Sequence, residues 1–401
     1  MRRSRSLSTL LLVAALGGAA ACDTSVDGGG GDGTGDGTGD GVGDGTGDGV
    51  GDGEPAPVDP WQDLLDQRQY NYGAALRTAS LRLTGDLPTV EDIEKVSGAD
   101  AKTQYETLVR GYLEDPRFAP QALAFWRDTF RMGGTAELDT APALAASIKV
   151  GNRSYLELLT ATTGTCPTVN AQGVVTAANC NNNVTTHAGV LTNPGVMKHF
   201  ASNLAFRRTR WVQEIFACTA FPAEIGAPTP VGNDASYTAP WPFESIAGTS
   251  NGGRIDFLDT AGVVCANCHA TMNHVAPLFA NFDDNGRMTN AIAVKTPLDG
   301  EPLATLADYL PAGLPMRQAV VCWPAADLPA LGAAMAADPL IAECAVARAW
   351  NWALGRGDIV NTLSVVPSEV IAAQVAAFTG NGHKFKDLLY AVFTSDDFTK
   401  Y

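Results

Sequence analysis

Five consecutive residues, Cys265-Ala266-Asn267-Cys268-His269, place two thiols three positions apart with an imidazole directly after the second. Thiols at that separation on a helical turn reach the two vinyl groups of one haem, and the adjacent imidazole lies beneath the iron as its proximal ligand. Random placement of 8 Cys and 5 His over 401 residues would give about 0.002 such patterns, so chance is a poor account. A closed zinc site needs four ligands, normally a second C-x-x-C or paired histidines, and the chain has no other such pair. A thioredoxin-like redox pair wants a β-α-β setting, which the surroundings lack. The spacing predicts one covalent haem c, with Cys265 and Cys268 as the attachment residues and His269 on the iron.

The other face of the iron has several candidates. Met272 and His274 follow His269 too closely to cross the ring if the helix continues, so Met272 reads as core. Met316, in the Pro-rich, Gly-containing turn DYLPAGLPMRQ, is the first choice for a distal ligand. A thioether there would raise the potential relative to a second imidazole and suit electron transfer, whereas the plain alternative is a methionine filling a gap in the core. His199, His187 and His383 come next, each more often a surface or satisfied histidine. If none binds, the iron is five-coordinate and open. Arg287, ending FDDNGR, offers a planar fork of donors for a haem propionate, or is a solvated surface charge.

The elements around these residues begin with an export signal. MRRSRS is a basic start, STLLLVAALGGAAA is too short to span a bilayer, and small residues precede Cys22. Cys22 with Ala19, Ala20 and Ala21 resembles a bacterial lipobox, although a larger aliphatic residue is usual where Ala19 stands. Residues 1–21 are read as the signal and Cys22 as the lipidation site. Residues 22–60 form a Gly/Asp linker of four-residue period, unable to build a core and acting as a flexible spacer of about 35 Å or more. The chain carries a formal net charge of −16, and its remainder stays acidic once this linker and the basic signal are set aside. That balance argues against nucleic acid as a partner and leaves a basic or small partner open.

Beyond the linker the periodicity is helical. In TQYETLVRGYLEDP the apolar set Tyr105, Leu108, Val109, Tyr112 and Leu113 falls on one face, and Asp115-Pro116 stops the helix. Thr89 with Asp92 opens an earlier helix, and Phe118 to Met132 forms another, closed by Gly133-Gly134. Asp338-Pro339 starts a helix that runs to Gly355, and Phe385 to Phe393 is the last clear stripe. No segment shows sustained strand alternation. Residues 161–186, rich in Thr, Asn and Gly, read as a surface insertion closed by a Cys166–Cys180 disulfide. It separates an N-terminal helical region, 61–160, from a haem-bearing helical region, 187–401.

The run VCANCHATMNHVAPLFANFDDNGR resembles the C-x-x-C-H-x-x-M-D-P-x-G-x-x-x-E-N-F-D-x-x-G-R signature of the planctomycete-type cytochrome c and its associated uncharacterised domains, found in large exported proteins of planctomycetes and myxobacteria. SLRLTGDLPTVEDIE, YETLVRGYLEDPRFAPQALAFWRD, AGVLTNPGVMKHFASN, RRTRWVQEIFAC, DPLIAECAVARAWNWALGRG and FKDLLYAVFTSDDF resemble the same proteins in the same order, covering most of residues 76 to 401. Asn273-His274 stand where that family has Asp-Pro. The resemblance implies an exported c-type haem domain but brings no reaction with it. It also implies a Cys218–Cys344 pair, since similar proteins carry cysteine at both places; Cys322 is then left over, and Cys322 with Cys344 is the alternative.

The sequence is therefore read as a mainly α-helical protein, a multi-helix body around a haem-attachment segment with a disulfide-closed insertion. The expected role is an electron-transferring lipoprotein of the cell envelope, meeting a redox partner protein and held to a membrane by its lipid. The rivals are a haem enzyme with an open distal site, peroxidase-like or gas-binding, and a non-catalytic surface module. No pair of catalytic groups at diagnostic spacing supports the enzyme.

Overall fold

Asp338 accepts a hydrogen bond from the Leu340 amide through its side chain and Pro339 occupies the first helical turn, so the helix Pro339–Ala353 starts where its capping pair dictates. Local chemistry of this kind recurs along the chain in a computed structural model that describes residues 66–170, 174–202, 205–219, 221, 272, 275–289, 325–358 and 365–401. All of them belong to one compact unit, Pro55–Tyr401; the segment Met1–Glu54, with the export signal, Cys22 and most of the linker, lies outside the described residues.

The described residues are mainly helical. In chain order the helices are α1 (Tyr72–Thr84), α2 (Val90–Lys95), α3 (Ala101–Glu114), α4 (Phe118–Phe130), α5 (Thr140–Val150), α6 (Glu157–Thr160), α7 (Pro194–His199), α8 (Phe206–Phe216), α9 (Leu328–Ala336), α10 (Pro339–Ala353), α11 (Ser368–Gly380), α12 (Phe385–Phe393) and α13 (Asp396–Thr399). α2 is capped by Thr89, whose hydroxyl accepts from the Asp92 amide at 3.2 Å. α3 buries Tyr105, Val109, Tyr112 and Leu113, with Leu108 packed at the edge of the core, as the helical period requires. α4 stops at Arg131, in the left-handed region at φ 53°, two residues before the glycine pair expected to close it. The Arg131 amide can still bond back to the Asp128 carbonyl, so the turn completes without glycine.

Small residues on α5 (Ala141, Ala143, Ala145, Ala146) are buried and let α4 pack closely along it. α10 lies against α11 and α12 with buried Ile341, Ala345, Val346, Ala349 and Trp350. Between these layers Trp126, Phe130, Tyr155, Trp211, Phe216 and Phe385 form a continuous aromatic core. The ends of the body are tied together: Gln69 and Tyr401 exchange backbone hydrogen bonds of 2.9 and 3.0 Å, and the Asn71 amide donates to Thr399 at 2.8 Å. Tyr70 O–H donates to Asp396 at 3.0 Å on the same seam.

The insertion contains the Cys166–Cys180 disulfide, with Cα atoms 4.8 Å apart. It also holds a two-residue antiparallel ladder, Thr168–Val169 against Val175–Thr176. Its base is not a loose surface loop. Thr165 is fully buried, and its carbonyl accepts from Nδ2 of the equally buried Asn193 at 3.0 Å. Among the described residues no single helix is long and apolar enough to cross a membrane.

Candidate functional site

Cys265, Cys268 and His269 lie outside the described residues, as do Met316, His274 and Cys322. The peptide that leaves the motif is described from Met272 and Val275 onward. Met272 is 6 % exposed and sits in the core, which suits the reading of it as filler. Val275, Ala276, Phe279, Ala280 and Phe282 are all buried, and a 3-10 turn spans Ala276–Phe279. The described residues from Val275 to Phe282 are thus embedded in the body.

Arg208 on α8 holds it there. The guanidinium, 1 % exposed, donates from Nη1 to the carbonyls of Phe279 (3.3 Å) and Phe282 (2.8 Å), and from Nη2 to Asp283 (2.8 Å). Nε and Nη2 also donate to the Met197 carbonyl at 2.9 and 2.7 Å, which ties the end of α7 into the same clamp. Five bonds to four carbonyls use the whole fork, a task for which lysine lacks the geometry. Burial lowers the Arg208 pKa to about 10, with Asp284 and Asp283 acting in the opposite direction; at that value the side chain is still a cation at neutral pH.

The turn beyond the clamp is equally specified. Asp283 Oδ1 accepts from the amides of Asn285 and Arg287, both at 2.8 Å, and the Asp283 amide donates to the Arg287 carbonyl at 2.9 Å. Gly286 has φ +74°, and a Cβ there would stand 2.2 Å from the Pro194 carbonyl oxygen, so both backbone conformation and close approach demand glycine. Asn182 of the insertion, 1 % exposed, donates through Nδ2 to the carbonyls of Thr192 and Gly286, both at 3.0 Å. The Met288 amide completes the contact by donating to the Asn182 carbonyl at 2.9 Å. The insertion therefore braces the FDDNGR turn, a contact its composition did not reveal.

Arg287 is exposed, with its backbone fixed by Asp283 and its side chain at the surface. The Cys218–Cys344 disulfide joins the residues after α8 to α10, with Cα atoms 5.5 Å apart. The 126-residue separation it closes contains Cys265, Cys268 and His269. The clamp and this disulfide flank α8, Arg208 on its first turn and Cys218 just past its last.

The histidines weighed for the distal position have other partners. His199 Nε2 lies 3.1 Å from the Arg131 carbonyl and donates to it, which engages the nitrogen best placed for an axial bond. His187 is 8 % exposed, its Nδ1 is 3.2 Å from the Thr192 hydroxyl, and burial lowers its pKa. His383 packs edge-on against Phe378, its pKa also lowered by burial. Among the described residues no cluster of three or more His, Cys, Asp or Glu side chains is placed to hold a metal.

Sequence reasoning passed over Arg208. A signal was present, because Arg208, Trp211, Val212 and Ile215 follow the i, i+3, i+4, i+7 pattern of a buried face, and all four are buried. No family model, curated protein or solved structure matches the chain.

Proposed function

We propose that this chain is an exported c-type cytochrome-like lipoprotein that carries one covalent haem and transfers electrons in the cell envelope. The observation that carries the reading is the Cys265-Ala266-Asn267-Cys268-His269 spacing, whose donor set fits haem attachment and is incomplete for a closed zinc site. Cys265 and Cys268 would hold the group through thioether bonds and His269 through its imidazole. Bound haem supplies a one-electron couple whose potential is set by axial ligand, hydrogen bonding and burial. Two disulfides suit an oxidising compartment, in which c-type attachment is completed, and they accord with the export signal and Cys22.

This chain's own contribution is mechanical and dielectric. Arg208 and Gly286 hold the stretch 275–287 against α7 and α8, and Val275, Phe279 and Phe282 within it are buried. A ligand carried on a peptide so fixed would keep one orientation through a redox cycle, which limits reorganisation. Met316 as distal ligand and Arg287 as propionate partner belong to the same proposal, as do the lipid anchor at Cys22 and a redox protein as partner. The resemblance to planctomycete-type cytochromes supports it on sequence grounds.

The test is a pyridine haemochrome spectrum of protein made in a host able to attach c-type haem, beside Cys265→Ala/Cys268→Ala. Covalent haem in the first and none in the second is expected, with a low-spin spectrum, and a methionine-to-iron band that vanishes in Met316→Ala. A high-spin iron that binds carbon monoxide or reduces peroxide would shift the reading to an enzyme. Failure to take up haem in a competent host would leave a structural surface module.

A further inference from the structure

Two segments that the haem reading leaves unused, SLRLTG at the end of α1 and ALGRG at the end of α10, converge on one cleft of about 240 Å³. Arg82 from the first segment is half-buried and makes no hydrogen bond or ion pair among the described residues. Its guanidinium lies over Gly355 of the second, where a Cβ would come within 2.9 Å of Nη2 and where φ is +69°. The left-handed backbone at Gly355 favours glycine at this point. Arg356 stands on the rim two residues into the same segment's exit from the helix.

Arg348 forms the floor. It is 6 % exposed, donates from Nη1 to Asp358 at 2.6 Å and from Nη2 to the Glu214 carbonyl at 2.6 Å, and leaves Nε buried with no partner. Asp358 is paired with Arg348, and Asp128 stands exposed on the rim. One wall is apolar: Phe125 and Trp352 meet edge to face at 5.3 Å between centroids, and the Thr129 hydroxyl lies beside them.

We propose that this cleft binds a small organic monocarboxylate with an apolar or aromatic body. The carboxylate would lie against Arg82, whose fork of N–H donors matches two oxygens in a plane, and the body would cover Phe125 and Trp352. The volume suits a ligand of metabolite size rather than a peptide or a cofactor. The inference does not depend on haem, and its test does not use haem.

The experiment is isothermal titration of the full-chain protein with phenylacetate, in parallel with sodium sulfate and benzylamine, for the wild type, Arg82→Gln and Arg82→Lys. Saturable binding of phenylacetate is expected, weakened about tenfold or more in Arg82→Gln and by less in Arg82→Lys, with thermal midpoints close to wild type. Three results would overturn it: no saturable heat for phenylacetate, equal affinity in Arg82→Gln, or sulfate or benzylamine binding as tightly as phenylacetate. If Arg82→Gln fails to fold, Arg82→Lys together with Trp352→Leu decides the same question, since loss of the aromatic wall must also weaken phenylacetate while leaving sulfate unaffected.

Discussion

Arg208 and Lys149 are both basic side chains inside the body, and their surroundings differ completely. Arg208 donates to four backbone carbonyls from α7 and the peptide after the haem motif. Lys149, on the last turn of α5, is fully buried, and its Nζ has no hydrogen-bond partner. Instead the amine stands 3.7 Å from the ring centre of Phe125, 4.5 Å from Trp352 and 5.1 Å from Phe385. Ring faces attract a cation, but they do not replace the hydrogen bonds that an ammonium loses on leaving water. Burial accordingly lowers the Lys149 pKa well below its ordinary value, while Arg208 stays charged. One basic side chain organises a segment, and the other is tolerated by the core at a cost in stability.

The sharpest way to break the comparison is Arg208→Met. It should destabilise the protein by about 4 kcal/mol, because the carbonyls of Met197 and Phe282 would stay buried without donors. Urea unfolding reads the loss, and faster amide hydrogen exchange at Gly286 and Met288 would locate it on the turn beyond the haem motif. Unchanged exchange there would mean that packing of Phe279 and Phe282 alone holds the segment. Arg208→Lys keeps the charge but can serve fewer of the carbonyls, so a smaller loss of about 2 kcal/mol is expected in the same assay. Equal losses for Met and Lys would show that fork geometry, not charge, is the whole of the effect.

Much of this body was legible in the sequence. Asp338-Pro339 marks a helix start on purely local grounds, and the Tyr105–Leu113 stripe predicts its own buried face. Cys166 and Cys180 pair across a short segment rich in turn-formers, where proximity is nearly assured. Arg208 and Lys149 were hidden for one shared reason: each occupies a position on an apolar stripe, where a charged side chain reads as an edge residue. What decides their roles lies far along the chain, the carbonyls 71 to 75 residues beyond Arg208 and the Trp352 and Phe385 rings around Lys149. The bracing of Gly286 by Asn182, 104 residues apart, was invisible for the same reason. The Cys265–His269 spacing is the opposite case, since five adjacent residues contain the entire argument for the haem reading.

Lys149→Met gives an effect of opposite sign. The thioether side chain fits among Phe125, Trp352 and Phe385 without a polar atom, so the variant should be more stable than wild type by about 2 kcal/mol at pH 7. The pH dependence separates this account from simple repacking. In the folded wild type the amine loses its proton at lower pH than in the unfolded chain, where the ordinary value is 10.5. Between those two points the unfolded state binds more protons, so wild-type stability rises with pH over that window and flattens above 10.5. The methionine variant lacks this rise, and its advantage should shrink steadily as unfolding is measured at pH 7, 8 and 9. A constant advantage would mean that Lys149 titrates alike in both states and that the aromatic cage fully supports the ammonium, making it the equal of Arg208 rather than its contrast.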